Sequence, residues 1–396
     1  MLKKLPFPLL VVVSFLIGGL AGFFVIPSDM NLLSPVDSGN GGGKQAEITP
    51  AAGKQLVEIP SGEAKDQMCP LNGLNYTLTE KNLWETRRPM AVMIENHFEA
   101  RPQSGLSTAD VVYEAVAEGG ITRFMALYYC ESSTRDLIVG PVRSARTYFL
   151  DMASEYSKFP IYVHVGGANL PGKSDALGQI KDYGWYGAND LNQFGLSVKE
   201  CWRDYNRLGN TTATEHTMYC STDALLKVAA KRGFTAVDKK NEPWTKTFKA
   251  WTFKESAQVS ADGKDATTLT FDFWKDFTQF TVKWAFDATS NLYKRDTGGT
   301  VHVDRNTNQQ LAFDTIVVQY VTETGPINEN KHMLYGMIGS GNALIFNRGK
   351  VDQVTWAKKN RLDRTVYKDS KGKEYNFNPG KIWIEVVPKT AEVVYN

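Results

Sequence analysis

Three arginines, Arg123, Arg143 and Arg146, lie in one segment of the chain that reads EGGITRFMALYYCESSTRDLIVGPVRSAR. The planar guanidinium group forms paired hydrogen bonds with phosphate and carboxylate groups, so clustered arginines indicate anion recognition. Cations that are brought close together need a negative partner, which is either a bound ligand or an acidic side chain. We therefore predict an anion-binding cluster at these arginines. The alternative is a structural salt-bridge cluster whose carboxylate comes from Glu114, Glu118 or Asp151.

The elements predicted around these arginines would gather them at one place. Thr122 to Cys130 and Leu137 to Val142 are apolar runs that are expected to pair as an antiparallel hairpin. Ser144 is a suitable N-cap for a helix from Ala145 to Tyr156, whose apolar residues have helical spacing. A helix start offers free N–H groups and favours anions, so Ser144 is predicted to contribute to the ligand site.

A second group of polar residues follows the first predicted strand of the domain. The apolar run from Met90 to Ile94 is followed directly by Glu95, Asn96 and His97. Residues just beyond strand ends line the binding crevices of α/β sheets, so Asn96 is predicted to bind ligand and Glu95 to carry protons. Arg101, in the loop that follows, is predicted to join the arginine cluster.

Two further residues are candidates for proton transfer. Asp110, Glu114 and Glu118 recur every four residues on a predicted helix that begins at Ser107 and ends at Gly119. This spacing is typical of a solvated acidic face, and only Glu118 is expected near the arginines. His164, on a strand predicted from Ile161 to Val165, has the pKa range of a general base. A structural role remains the alternative for this histidine.

No cofactor or metal motif is present. The chain has no HExxH, paired CxxC, GxSxG, P-loop or dinucleotide-binding fingerprint. His216 and Cys220 have the spacing of a thiolate–imidazole pair on a helix, but their segment is not reliably helical and a disulfide through Cys220 would remove the nucleophile. His302 and Asp304 have the spacing of a metal pair on one strand face, but no third ligand is evident. We predict neither a cofactor nor a metal.

The four cysteines are Cys69, Cys130, Cys201 and Cys220. In an oxidising compartment they could form two disulfides with three connectivities, among which Cys201–Cys220 is favoured by the short loop between them.

The N-terminus is predicted to lie outside the folded part. Lys3 and Lys4 precede an uncharged run from Leu5 to Ser28, which is long enough to cross a bilayer. Residues 1–27 are therefore interpreted as a single-pass anchor that leaves the rest of the chain outside the membrane. A cleaved signal peptide is the alternative. Residues 28–65, which contain SGNGGGK, are predicted to be a flexible linker.

The rest of the chain divides by pattern into two domains. Residues 66–238 alternate strand and helix signals, which predicts an α/β domain with a mixed sheet. Residues 239–396 show alternating strands such as Thr268 to Phe273 and Thr281 to Phe286, which predicts a mainly β domain. The net charge of +2 is too small to indicate nucleic acid as a partner.

Several motifs in order resemble one protein family. They are RPMAVMIENH, ARPQSGLSTADVVYE, EGGITRF, VGPVRSAR and YVHVGG in the first domain, and GGTVHVD, TIVVQYV, IGSGNALIF and NPGKIWIEVVP in the second. From about residue 85 to its end, the chain resembles the bacterial YerB family, whose members are surface lipoproteins with two DUF3048 domains. The resemblance implies an extracytoplasmic protein of two domains and no particular reaction. Family members usually carry a lipobox cysteine, but Phe23 occupies that position here.

These observations lead to one function and two alternatives. The expected function is binding of an anionic, phosphate-bearing ligand of the cell envelope at the arginine cluster. One alternative is a non-catalytic module that binds a protein or glycan, using the aromatics Trp251, Trp274 and Trp356. Another is phosphoryl or glycosyl-phosphate transfer, with Glu95 or Glu118 carrying protons. The sequence does not decide the oligomeric state.

Overall fold

The long apolar runs of the sequence pair into one central sheet of eleven strands. The computed structural model describes residues 53–209 and 212–396. The predicted anchor, residues 1–27, and most of the predicted linker lie outside the described residues. The strands of the central sheet, in chain order, are β1 (Met90–Glu95), β2 (Val111–Glu118), β3 (Ile121–Tyr128), β4 (Ile161–His164), β5 (Asp190–Asn192), β6 (Lys264–Asp265), β7 (Thr315–Val321), β8 (Gly339–Asn347), β9 (Lys350–Lys358), β10 (Val366–Lys368) and β11 (Ile382–Pro388).

The central sheet is mixed, as predicted. Its order is β5-β4-β1-β3-β2-β11-β7-β8-β9-β6, and β10 also pairs with β9. Strands β1, β4 and β5 are mutually parallel, as are β2, β11 and β7. Because β3 is antiparallel to both β1 and β2, these two groups run in the same direction. Six carboxyl ends therefore meet at one edge of the sheet, which we call the carboxyl edge.

Smaller sheets cover or extend this one. A six-stranded sheet comprises Thr268–Phe271, Val282–Asp287, Leu292–Thr297, Thr300–Val301, Ala312–Phe313 and Val394–Tyr395. A three-stranded sheet comprises Ile138–Val139, Cys201–Arg203 and Met218–Ser221. The two-stranded pairs are Lys54–Gln55 with Arg135–Asp136, Lys65–Met68 with Asn75–Thr77, Val303–Asp304 with Gln309–Gln310, and Glu323–Thr324 with Leu334–Tyr335.

The helices are short and lie in the first two thirds of the chain. They are α1 (Leu78–Trp84), α2 (Thr147–Ala153), α3 (Ala176–Asp182) and α4 (Thr222–Lys231). The 3-10 turns are Phe98–Ala100, Leu106–Thr108, Gln193–Gly195, Thr214–His216, Trp244–Lys246 and Thr278–Phe280. Ser221 caps α4 through its side chain, which accepts the Ala224 N–H. The described part of the chain is thus mostly sheet with a few helices.

The helix predicted over residues 107–119 is wrong, because most of this segment is strand β2. The acidic spacing of four residues fits one face of a helix, but it is also an even number and fits one face of a strand. Asp110 does not cap a helix; its carboxylate accepts the N–H groups of Tyr129, Cys130 and Glu131. Gly119 and Gly120, with φ of +57° and +84°, form the two-residue turn to β3.

The hairpin predicted between Thr122 to Cys130 and Leu137 to Val142 is also wrong. Both edges of β3 are occupied, by β1 on one side and β2 on the other. The later run contributes Ile138–Val139, which pairs instead with Met218–Ser221. An apolar run that is central in a sheet has no free edge for the next strand in sequence, and the sequence pattern does not show this.

The helix predicted from Ala145 to Tyr156 is shorter than expected. α2 begins at Thr147, and Arg146 occupies the N-cap position without a side-chain capping bond. Ser144 is therefore not the N-cap, and the prediction that the arginines surround a capped helix start is wrong.

Buried ion pairs join the central sheet to the six-stranded sheet. Arg295 lies at 2.6 Å from both Glu114 of β2 and Glu385 of β11, and all three side chains are fully buried. Indole rings of Trp284 and Trp383 flank the guanidinium group at 5.1 and 4.6 Å. These two parts of the described chain thus share both a sheet and a charged cluster, and the described residues belong to one compact unit.

The four cysteines form two disulfides. Cys201 is bonded to Cys220, the pair favoured by the sequence, and Cys69 is bonded to Cys130. Among the described residues, no helix combines the length and apolar character that a membrane crossing requires.

Arg295→Ala should lower the free energy of unfolding by about 3–5 kcal/mol, because it leaves two buried carboxylates without their cation. Urea unfolding followed by circular dichroism measures this change. Lys294→Ala is the matched control, since this neighbouring lysine forms a partly exposed pair with Asp287 that is worth less than about 1 kcal/mol. Equal losses in the two variants would contradict the role assigned to Arg295.

Candidate functional site

The carboxyl edge gathers the residues that the sequence analysis proposed for catalysis or ligand binding. Strands β1, β2 and β4 end there, and β3 begins there. The residues at or next to this edge are Glu95, Asn96, Arg101, Glu118, Arg123, Arg143, Ser144, Arg146 and His164. They divide into a group around Glu118, a group around Glu95, and residues held by other bonds.

The loop of residues 141–146 lies across the ends of β1 and β4. The Glu95 N–H donates to Pro141 O at 2.9 Å, and the Arg143 N–H donates to Met93 O at 2.9 Å. On the other side, the Val165 N–H donates to Arg143 O at 3.1 Å. These backbone bonds fix the starting points of the Arg143 and Arg146 side chains, because each side of the loop is bonded to a strand of the central sheet.

Glu118 binds two of the three arginines. Arg123 donates from Nη2 to Glu118 Oε1 at 3.0 Å and from Nη1 to Ser144 O at 3.0 Å. Arg146 donates to Glu118 Oε2 from Nε at 2.9 Å and from Nη2 at 2.5 Å. Both arginines are buried, whereas a quarter of the Glu118 side chain is exposed. We call this group the Glu118 clamp.

The clamp keeps Glu118 ionised. Burial alone would raise the pKa of this carboxyl, but the charges of Arg123 and Arg146, with their hydrogen bonds, outweigh burial and lower the pKa to about 2. Glu118 is therefore a weak base at neutral pH and serves mainly as the counter-charge of two arginines.

Arg143 belongs to a different group, centred on Glu95. Arg143 Nε lies 3.0 Å from Glu95 Oε2, and 26% of the arginine side chain is exposed. The same carboxylate oxygen lies 2.9 Å from His216 Nδ1. His216 Nε2 lies 3.5 Å from Glu99 Oε2, and the His97 ring stacks on the His216 ring at 4.8 Å between centroids.

The charges of this second group act on one another. Burial would raise the pKa of Glu95, but its hydrogen bond with His216 and the charges of Arg143 and Arg123 lower it overall. The hydrogen bond to Glu95 raises the pKa of His216. Burial and the charge of His216 lower the pKa of His97. Glu95, like Glu118, is thus held in its ionised form.

Asn96 and Arg101 are held in a hydrogen-bond network. Asn96 Nδ2 donates to Glu114 and Thr122, and Asn96 Oδ1 accepts from Arg101 Nε at 3.0 Å and from Gln103. Burial lowers the pKa of Arg101 to about 10. Within the described part of the chain, Arg101 has no carboxylate in ion-pair distance. Asn96 is fully buried, and the structure shows it as an internal connector.

His164 is also internal. Its Nδ1 lies 2.5 Å from Gly166 O, and its Nε2 lies 2.5 Å from Asp190 Oδ1. Both ring nitrogens are occupied by oxygen partners and the residue is fully buried, so this arrangement holds the end of β4 to β5.

The other pairs considered from the sequence are accounted for by bonds within the fold. The Cys220 sulfur is bonded to Cys201, which leaves no thiol for His216. His302 Nε2 contacts Gln103, and the Asp304 carboxylate accepts the N–H groups of Gly105 and Ser107, so the two residues have separate partners.

Sequence reasoning missed the association of His216 with Glu95. The two residues are 121 positions apart, and nothing in the local sequence of either indicates the other. His97 was considered from the sequence as a general base beyond the end of β1, without its neighbour His216, and Glu99 was not singled out. The signal that remains in the sequence is the spacing of His97 and Glu99 within one short turn.

A large cavity lies beside the aromatics of the second half. Its volume is about 980 Å³, and Trp274 and Phe277 form part of its wall together with Asp272, Glu323 and Glu392. Trp274 donates from its indole nitrogen to Glu323 Oε2 at 3.0 Å. Trp251 and Trp356 are buried in the core instead, so of these three tryptophans only Trp274 lines the cavity.

Comparisons with known proteins agree on one family. Residues 76–235 match the family model "Protein of unknown function (DUF3048) N-terminal domain", and residues 269–384 match its C-terminal counterpart. YerB of Bacillus subtilis (strain 168), whose name describes it as a lipoprotein, is 32% identical over 331 residues, covering 82% of this chain and 87% of the relative. The chain belongs to the YerB-like DUF3048 family.

The fold of this YerB-like chain is supported by a solved structure. The crystal structure of YerB protein from Bacillus subtilis superposes with a TM-score of 0.65 at 28% sequence identity, covering 83% of this chain and 99% of that chain. The DUF3048 match begins before α1 and ends after α4, so the whole Glu118 clamp and the Glu95 group lie within its N-terminal part.

In this DUF3048 protein, Glu118→Gln should reduce the loss of unfolding free energy that the parent shows as the pH falls. The lowered pKa means that Glu118 stabilises the fold above about pH 4.5 and loses this contribution as the pH falls towards 2. The shift corresponds to at most about 3 kcal/mol. Urea unfolding of parent and variant between pH 2.5 and 7 should give stabilities that differ at pH 7 and converge in acid.

Glu242→Gln is the control for this measurement, because Glu242 forms an exposed pair with Lys246. A constant difference between parent and Glu118→Gln across the pH range would contradict the clamp.

Proposed function

We propose that this YerB-like protein is a non-catalytic binding protein of the cell envelope that holds an anionic, phosphate-bearing ligand at the carboxyl edge, with Arg143 as the principal contact. The proposal narrows the expectation from the sequence, since Arg123 and Arg146 are already paired with Glu118. Arg123 and Arg146 hold Glu118 in place and add positive charge to the carboxyl edge. Arg143 is the more accessible guanidinium group.

The observation that supports this proposal is the surplus of positive charge. Four arginines lie at the edge: Arg101, Arg123, Arg143 and Arg146. The carboxylates paired with them are Glu95 and Glu118, whereas Glu99 pairs with His97 and His216. Glu95 is also shared with His216. A phosphate group beside Arg143 would supply the missing negative charge and accept hydrogen bonds from its terminal nitrogens, which bond to none of the described residues.

Binding is favoured over group transfer by the state of the candidate proton carriers. The pKa of Glu118 is lowered to about 2 and that of Glu95 is also lowered, so both carboxylates are poor proton acceptors at neutral pH. Both nitrogens of His164 face oxygen atoms inside the fold. The phosphoryl or glycosyl-phosphate transfer considered from the sequence therefore has little support from these residues.

An extracytoplasmic location belongs to the same proposal. All four cysteines are in disulfides, which persist in oxidising compartments. The relative YerB is named as a lipoprotein, which supports attachment to a membrane. Because Phe23 replaces the lipid-bearing cysteine, we propose that residues 1–27 anchor this chain as a single span and that residues 28–65 tether it.

We also propose that the folded chain divides into two parts between residues 238 and 239, the boundary that the sequence pattern predicts. Residues 66–238, which contain all four α-helices among the described residues, form the α/β part, and residues 239–396 form the mainly β part. The two family models, which end at 235 and begin at 269, support this division.

Arg143→Gln should weaken binding of inorganic pyrophosphate at least tenfold, because a charged hydrogen bond contributes about 1.5–3 kcal/mol. Isothermal titration of the full-length chain in detergent, at constant chloride concentration, measures the affinity. The fold should be retained, since Glu95 keeps its bond to His216.

Arg348→Gln is the matched control, because it removes one arginine charge in the turn between β8 and β9, at the opposite edge of the central sheet. Equal affinities in the two variants, or a parent chain that binds no pyrophosphate, would refute the anion site.

A second candidate function follows from the cavity beside Trp274. Aromatic faces next to carboxylates form sites for sugar rings, which stack on the aromatic group and donate hydroxyl hydrogen bonds. Trp274 with Asp272, Glu323 and Glu392 presents this combination in a volume of about 980 Å³. The glycan-binding module that the sequence left open is therefore assigned to this cavity as an alternative proposal.

Trp274→Ala should then abolish binding of a tetramer of β-1,4-linked N-acetylglucosamine, measured by titration calorimetry, while Trp274→Phe should retain part of the affinity. Tyr186→Ala serves as control, since Tyr186 is a highly exposed aromatic outside the cavity. If the tyrosine variant loses as much affinity as Trp274→Ala, the cavity is not the glycan site.

A further inference from the structure

His97, Glu99 and His216 form a compact group of side chains that could ligate a metal ion. We infer that these three residues bind a divalent transition metal of the zinc class, with Glu95 as the carboxylate that orients His216. This inference goes beyond the proposed anion site and does not depend on it.

The fold brings the three residues together from two distant segments. His97 and Glu99 belong to the turn that follows β1, where His97 is the N-cap of Phe98–Ala100. His216 ends the turn Thr214–His216, just before the strand Met218–Ser221. Val142 joins the two, since it bridges Ile94 and donates from its N–H to Met218 O at 2.7 Å.

The distances suit a small tetrahedral ion. One ligand atom from each residue lies within 4.8 Å of the other two. Glu99 Oε2 is 3.5 Å from His216 Nε2 and 3.8 Å from His97 Nδ1. Bonds of about 2.0–2.2 Å in a tetrahedron place neighbouring ligand atoms roughly 3.4 Å apart. Glu99 is 54% exposed, so its carboxylate is free to make the small adjustment required.

Glu95 prepares His216 for this role. The hydrogen bond between His216 Nδ1 and Glu95 Oε2, at 2.9 Å, places the proton of a neutral imidazole on Nδ1 and leaves the lone pair on Nε2. Nε2 is the atom that faces Glu99. A carboxylate behind a ligating histidine is the usual outer partner in zinc sites, where it fixes the ring and increases its basicity.

His97 presents a second lone pair. Its Nδ1 accepts a 3.3 Å hydrogen bond from the Glu99 N–H, so in this arrangement Nδ1 is the unprotonated nitrogen, and a metal at Nδ1 would take the place of this capping bond. The two imidazole rings stack with an angle of 9° between their planes.

The donor set indicates the class of metal. Two imidazole nitrogens and one carboxylate suit zinc and its neighbours in the first transition series, whereas magnesium and calcium prefer oxygen donors. Three protein ligands leave a fourth position open for water or a ligand atom. Glu99 has no arginine partner among the described residues, so its carboxylate supplies the negative charge that the metal requires.

Equilibrium dialysis of the metal-stripped full-length chain against zinc chloride, with excess magnesium present, tests the inference. The parent should bind one zinc ion per chain, and saturation with zinc should raise its melting temperature. Glu99→Gln and His97→Ala should each weaken binding more than tenfold, because each removes one of three ligands. Circular dichroism checks that both variants are folded, and Glu99→Gln alters an exposed side chain.

Glu215→Gln is the matched control, since Glu215 is exposed, lies next to His216 and carries the same charge as Glu99. Its zinc affinity should remain within about twofold of the parent. A parent that binds no zinc would overturn the site, as would a Glu99→Gln variant with the affinity of the parent. If both glutamine variants lose affinity equally, surface charge and not ligation attracts the ion, and the inference fails.

Discussion

The joint between β2 and β11 depends on two buried carboxylates and one arginine. Glu114 and Glu385 are direct partners in the parallel pairing of these strands, so their like charges lie side by side inside the protein. Arg295 enters from the six-stranded sheet and bonds to both. Burial, opposed by the charge of Arg295 and reinforced by that of Glu114, raises the pKa of Glu385. One arginine of the six-stranded sheet thus serves both carboxyl groups of the central sheet.

The same cluster extends to the carboxyl edge through uncharged groups. Glu114 accepts hydrogen bonds from Thr122 and Asn96, and Asn96 in turn accepts one from Arg101. Each of these bonds restricts the side chain that follows it, so the loop after β1 is held from inside the protein. A site whose supporting groups are fixed before binding loses little conformational entropy when a ligand arrives. The predicted ligand residue Asn96 therefore matters to the edge as a connector, although it is fully buried.

Many strands of the sheet could be predicted from the sequence, but the ion pairs between its charged side chains could not. The alternation of Leu269 to Phe273 and the apolar run of Met90 to Ile94 identify strands, because burial on one or both faces leaves a direct trace in residue type. The rule that polar residues beyond strand ends share an edge placed Glu95 at that edge, whereas Glu118 was expected near the arginines from the end of a helix that is in fact a strand. It could not show that Glu118 binds Arg123 and Arg146, since these pairs depend on which strands are neighbours. The spacing of Asp110, Glu114 and Glu118 fits helix and strand equally, and Gly119-Gly120, interpreted from the sequence as the end of a helix, is the turn between two strands.

The division of the carboxylates at the edge determines what the edge can bind. Glu118 is committed to two arginines, whereas one oxygen of Glu95 is shared between Arg143 and His216. A metal ion held by His97, Glu99 and His216 would add positive charge on one side of Glu95, and an anion at Arg143 would add negative charge on the other. The metal ion and the anion have opposite charges and attract each other, so binding of the metal would strengthen binding of the anion, and the reverse. Linkage requires the two effects to be equal, because both describe one free energy of coupling between the two sites. The metal site and the anion site at the carboxyl edge would then be coupled through Glu95, which contacts Arg143 of the one and His216 of the other.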